Sequence, residues 1–101
     1  MKQHNYFVYI TTNPKRTVLY TGVTNDLVRR LAEHLENNEE WKSTFAGKYF
    51  CYNLIYYEQY PDIRAAIDRE KQIKGWTRDK KEALINEVNP GWRFLNREIQ
   101  S

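Results

Sequence analysis

The 101-residue chain holds one cysteine, two histidines, four glycines and three prolines. A lone cysteine, Cys51, excludes an internal disulfide and any multi-cysteine zinc site, and its presence as a free thiol points to a reducing, cytoplasmic compartment. Cys51 itself reads as a packing residue. No apolar stretch approaches the roughly 20 residues that a membrane span requires. The start, Met1-Lys2-Gln3-His4-Asn5, lacks an apolar signal core, so no membrane association is expected. There is no Gly-rich phosphate loop, no Gly-x-Ser-x-Gly and no Cys-His nucleophile pair, and hydrolases of those kinds drop out.

Aromatic residues stand where aliphatic ones are scarce: eight Tyr, four Phe and three Trp in a chain that is 41% apolar and 29% charged. Large aromatic side chains carry a small core and leave hydroxyls for a site. The net charge of +3 is modest, but residues 64–81 gather Arg64, Arg69, Lys71, Lys74, Arg78, Lys80 and Lys81 against Asp68, Glu70 and Asp79. Such a local excess favours a polyanion, the alternative being a solvated helical surface.

Tyr6 to Ile10 is apolar, aromatic and β-branched, Thr12-Asn13-Pro14-Lys15 is turn-forming, and Thr17 to Thr24 returns to strand composition, which predicts an antiparallel hairpin. A first helix is expected from about Asp26 to Asn37, with Leu27, Leu31 and Leu35 at four-residue spacing. Asn37 to Lys48 is polar and reads as a loop or short turn. Tyr49 to Tyr57 is dense in apolar residues and predicts a third, central strand buried on both faces. Pro61 opens a second helical pattern that stops at Gly75, and Thr77 caps a third helix with Ala83, Leu84 and Val88 on one side. That helix ends before Asn89-Pro90-Gly91, and Trp92, Phe94 and Leu95 are expected to pack back. The expectation is one α/β (α+β) domain over residues 1–101, a three-stranded antiparallel sheet flanked by helices, with a core of about 6–88 and a tail of 89–101.

At about 100° per residue, Leu27, Val28, Leu31 and Leu35 share a face of the first helix, Arg29 projects nearly opposite, and Arg30 and His34 sit together beside the apolar stripe. They form either a site or a snorkelling Arg with a half-exposed His. In the second helix, Glu70 lies inside the stripe of Ile63, Ala66, Ile67 and Ile73. A carboxylate there needs a partner, either a salt bridge to Arg30 or another base, or a bound cation. With two histidines and no cysteine pair, a single carboxylate suits Mg²⁺ or Mn²⁺ rather than zinc. Phenol, guanidinium, imidazole and carboxylate together suit phosphate chemistry.

The run Phe7-Val8-Tyr9, then Tyr20-Thr21-Gly22, Arg30 eight residues after that glycine, His34 four further on and a distant helical Glu70 resembles the GIY-YIG nuclease domain. The likeness runs from about Tyr6 to Val88 and is greatest to the small single-domain branch, related to the N-terminal nuclease domain of the excinuclease C subunit. It implies that Tyr9 and Tyr20 are the tyrosines of the two half-motifs, Gly22 the glycine of close approach, Arg30 the catalytic arginine, and Glu70 the ligand of a single divalent ion. His34 falls where family members carry His or Tyr. Phe7, Val8 and Thr21 depart from the eponymous letters, and Val23 stands where some relatives place a lysine. Asn89 and Asn96 are both imperfect matches for the asparagine that follows the last helix, and neither is carried over.

The implied activity is metal-dependent hydrolysis of phosphodiester bonds in DNA, branched or damaged DNA in repair or recombination being the implied substrate. Tyr9, Tyr20, Arg30, His34 and Glu70 are the expected catalytic set, and Gly22, Lys74, Arg78 and Lys81 the expected substrate contacts. DNA is the expected partner, with other repair proteins as further ones, and a monomer is favoured. The competing readings are a non-catalytic nucleic-acid-binding module with a nuclease-like fold and an adaptor that docks a repair protein.

Overall fold

A computed structural model describes residues 5–35 and 50–99. Strand β1 (Tyr6–Thr12) and strand β2 (Leu19–Thr24) form the expected hairpin. Its turn is organised by Asn13, whose side-chain oxygen accepts from the Thr17 and Val18 amides at 2.8 and 2.9 Å, and Arg16 takes a left-handed backbone at φ 60°. Asn side chains close such turns by standing in for a backbone acceptor. Helix α1 (Leu27–Leu35) follows. Its start is capped by Asp26, which accepts from the Arg29 amide at 3.0 Å. The expected continuation to Asn37 and the polar loop of 37–48 lie outside the described residues.

Strand β3 (Asn53–Tyr60) pairs antiparallel with β1, so the sheet order is β2-β1-β3. Here the sequence expectation is corrected twice. The central strand is β1, whose residues Val8 to Thr12 are all buried, and β3 is an edge strand. Burial on both faces holds, since adjacent Leu54 and Ile55 are buried on opposite sides of the sheet, and a bulge, where the register shifts between Ile10 and Thr11, adds density by setting adjacent Ile55 and Tyr56 on one side. The strand also begins later, because Phe50 adopts φ 60°.

The sheet divides the core. Val8, Ile10, Ile55 and Tyr56 face helices α2 (Ile63–Lys74) and α3 (Arg78–Val88) through Ala66, Ile73 and Ile85, whereas Tyr9 and Leu54 face Leu27 and Leu31 of α1 and Leu95 of the tail. Pro61 lies just outside α2 and not in its first turn; Asp62 caps the helix, accepting from the Arg64 amide at 3.2 Å. Gly75 closes it as expected, but in a right-handed conformation, so its role is a cap that any residue's backbone could form. Thr77 caps α3 as predicted. The packing face of α3 is corrected: Ile85 is its buried residue, Ala83 is exposed and Val88 is 69% exposed. A helix docked on an edge strand needs only a narrow apolar stripe, and Ile85 with half-buried Leu84 supplies it.

The tail does pack back, and its asparagines satisfy β3. The Leu95 amide donates to the Leu54 carbonyl at 2.7 Å, and Asn96 accepts from the Leu54 amide at 2.8 Å and donates to the Tyr52 carbonyl at 2.9 Å. Buried Asn89 donates to the carbonyls of Ile55 and Arg93 at 2.9 and 3.0 Å and accepts from the Arg93 amide. These bonds occupy backbone groups that β1 leaves free, which is how an edge strand avoids presenting a pairing surface.

Candidate active site

The site begins with a missing side chain. Tyr9 and Gly22 are direct partners across β1 and β2. A Cβ on Gly22 would lie 2.5 Å from the Tyr9 hydroxyl and 3.0 Å from the Tyr20 ring. The glycine is therefore there to let the Tyr9 phenol lie across β2. Strand alternation places Tyr20, opposite Thr11, on the same face, and the two tyrosine rings meet at 6.2 Å between centroids, tilted by 50°.

Tyr9 is only 1% exposed, and burial drives its phenol well above the ordinary tyrosine value. The neighbouring Tyr20 and Glu70 push in the same direction and Arg30 opposes them, while a hydrogen bond to Tyr20 further holds the proton. All three groups thus lie within electrostatic reach of one hydroxyl. Arg30 arrives on α1, anchored by Leu27 and Leu31, and is half-buried. Its neighbour Arg29 points to solvent and pairs with Glu33 at 3.7 Å, as the helical geometry predicts. His34 lies on α1 four residues after Arg30, and its side chain is outside the described part of the structure.

Glu70 reaches the site from α2, which packs against β1 and β2. Its side chain is 15% exposed and pairs with Lys74 at 3.4 Å. The partner required by the sequence argument is therefore another base and not Arg30, and the spacing of four residues was there to be read. Among the described residues no group of three or more His, Cys, Asp or Glu side chains converges. One carboxylate of this kind fits a hard cation that keeps water and takes further oxygens from a phosphate, and it does not fit zinc.

The expected substrate contacts separate. Lys74 joins the Glu70 end of the site. Arg78 is committed elsewhere: it pairs with Glu82 at 2.8 Å and donates to the Thr17 carbonyl at 2.6 Å, pinning the hairpin turn to α3. Lys81 is half-buried on the same helix.

A second polar cluster was not anticipated. Glu58 of β3 binds Arg69 of α2 at 2.9 and 3.0 Å and accepts from the hydroxyls of Tyr56 and Tyr60, the latter at 2.6 Å. The alternation Tyr-x-Glu-x-Tyr placed the three on one face of the strand and was the available signal. It sits on the α2 face, opposite Tyr9, and joins sheet to helix.

Residues 5–83 match the model of the GIY-YIG catalytic domain. A UPF0213 protein of Bacillus pumilus is 35% identical over 88 residues, which is 87% of this chain and 86% of that protein. One from Haloquadratum walsbyi is 37% identical over 82 residues, 81% of this chain and 88% of the relative. The solution NMR structure of the UPF0213 protein BH0048 from Bacillus halodurans superposes with a TM-score of 0.52 at 27% identity, covering 84% of this chain and 86% of the other. With the half-motif tyrosines, the glycine between them and the helical arginine and glutamate assembled around one phenol, the chain belongs to the GIY-YIG catalytic domain family, a family of nucleases.

Proposed function

We propose that the protein is a metal-dependent endonuclease that hydrolyses phosphodiester bonds in DNA, as a single domain of residues 1–101. The observation that supports this reading most is that Tyr20, Arg30 and Glu70 all lie within electrostatic reach of the buried Tyr9 hydroxyl. Arg30 brings a permanent cation against the phosphate, where negative charge grows as water attacks. Tyr9, its proton held by burial, exchanges its hydrogen bond to Tyr20 for one to a phosphate oxygen. Proton abstraction from the attacking water then falls to Tyr20 or His34, the water oxygen bonds to phosphorus as the bond from phosphorus to the departing oxygen breaks, and that oxygen takes its proton from solvent. A divalent ion held by Glu70, Mg²⁺ or Mn²⁺, supplies Lewis-acid stabilisation to the phosphate oxygens when bound. Lys74 pairs with the Glu70 carboxylate at 3.4 Å.

A second reading draws on that same ion pair. Because Lys74 already neutralises Glu70, the fold can hold DNA without a metal as a binding module. Incubation with labelled branched, flapped and single-stranded DNAs in Mg²⁺, Mn²⁺ or chelator separates the two. Ion-dependent cleavage of any of them supports the nuclease; binding without cleavage under every condition supports the module and overturns the nuclease.

A further inference from the structure

Beyond the site, the most unusual surface residue is Phe50. It is 61% exposed and holds φ 60°, a backbone region that bulky L residues rarely occupy. A ring turned outward at such a cost, rather than inward with the core, presents a contact face. Phe50 meets Tyr52 edge-on at 6.1 Å between centroids. The two rings, with Asn13, Pro14 and Lys15 of the hairpin turn, line a cavity of about 320 Å³. The walls are aromatic and alicyclic, with a lysine at the rim.

Packed side chains link this cavity to the candidate active site. Cys51, fully buried, packs against both Tyr52 and Tyr20, and Tyr20 in turn meets Tyr9. Tyr52 of the cavity wall and Tyr9 of the site are thus joined through Cys51 and Tyr20. Exposed aromatic faces beside a cation are what proteins use to hold unpaired bases, because every base has a π-face and every nucleotide a phosphate. A peptide would be recognised by donors and acceptors aimed along its backbone, whereas stacking faces and one ammonium group suit a nucleotide. We infer that Phe50 and Tyr52, with Pro14 and Lys15, form a stacking subsite for an unpaired base of single-stranded DNA adjoining the site of cleavage. The inference rests on the proposed function, and it makes the substrate a DNA with unpaired nucleotides beside the scissile bond.

The test is fluorescence anisotropy of the full chain in chelator, so that no strand is cut. The two ligands are a short oligothymidylate and an abasic strand of equal length and charge. Wild type is expected to bind the oligothymidylate more tightly than the abasic strand. Phe50→Leu is expected to lose that preference, its affinity for oligothymidylate falling by roughly fivefold to 150-fold, the range of one base–aromatic stack. Phe50→Trp keeps it, and Lys15→Ala weakens binding of both strands alike. Equal binding of the two strands by wild type overturns the subsite while leaving the nucleic-acid reading intact. A Phe50→Leu protein that melts well below wild type yet keeps the preference shows a ring that packs against its own chain, and also overturns it. Failure of wild type to bind either strand or duplex DNA overturns the subsite and the proposed function together.

Discussion

Thr11 carries a fully buried hydroxyl that has no hydrogen-bond partner among the described residues, on the same sheet face as Tyr9 and Tyr20. An unsatisfied buried hydroxyl costs stability, and a methyl group of the same shape removes that cost. Thr11→Val is therefore expected to stabilise the chain by about 1 kcal/mol, read as a raised melting temperature; a lowered one would mean the hydroxyl has a partner. Arg29 and Arg30 make a second contrast at this scale. Adjacent in sequence, they differ in surroundings, one paired with Glu33 in solvent and the other half-buried within electrostatic reach of the Tyr9 phenol. Arg30→Ala is expected to slow cleavage roughly a hundredfold, about 3 kcal/mol, and Arg29→Ala to change it little. Comparable losses in single-turnover rates would remove Arg30 from the site. The contrast between the two arginines was legible from helical spacing, whereas Gly22 was assigned by the family resemblance. The Lys74 partner of Glu70 was equally legible from its spacing. Looking for a partner across the fold directed attention to Arg30 instead.

The elements show where sequence reasoning ends. Strand alternation located β1 and β2, but nothing local in residues 49–57 distinguishes a central strand from an edge strand with a bulge, since both read as unbroken apolar runs. Sheet order is decided by pairings between distant segments, here β1 with β3. The same holds for Asn89 and Asn96, whose carbonyl and amide partners lie on β3. The Glu58 cluster yields a prediction at this scale. Burial alone would raise the Glu58 carboxyl, but the hydrogen bonds from Arg69, Tyr56 and Tyr60 outweigh it and hold the group below its ordinary value. A depressed folded value means that its contribution to stability is present above the unfolded carboxylate value, about 4.3, and is lost as pH falls through the folded one. Melting temperature is accordingly expected to drop below about pH 4.3, and Glu58→Gln to flatten that drop while lowering stability near neutrality. A variant with an unchanged acid slope would place the loss in other carboxylates. Arg69→Ala is the harsher change, because it strands a half-buried charge on the sheet.

At the level of the whole molecule, the sheet separates two tasks. Helices α2 and α3 and the Glu58–Arg69 cluster close one face, and α1 and the tail close the other around Tyr9. Glu70 is the one group that α2 brings within reach of the Tyr9 phenol. The local excess of positive charge in 64–81 is partly spent on the fold: Arg69 binds Glu58, Arg78 binds Glu82 and the hairpin turn, and Lys80 lies over the Trp76 ring at 4.6 Å. Charge counting alone could not separate these from cations that meet a phosphate, because pairing is a property of the folded surface. The family resemblance could assign Glu70 a role but not its neighbour, and the account now turns on whether that carboxylate exchanges Lys74 for a metal ion. The most direct measurement is the rate of DNA cleavage by wild type and Glu70→Gln across a Mn²⁺ titration, with thermal melts showing both proteins folded. The account predicts a wild-type rate that rises and saturates with Mn²⁺ and a folded Glu70→Gln protein that stays at background throughout. A Glu70→Gln protein that cuts with the same Mn²⁺ dependence would contradict it.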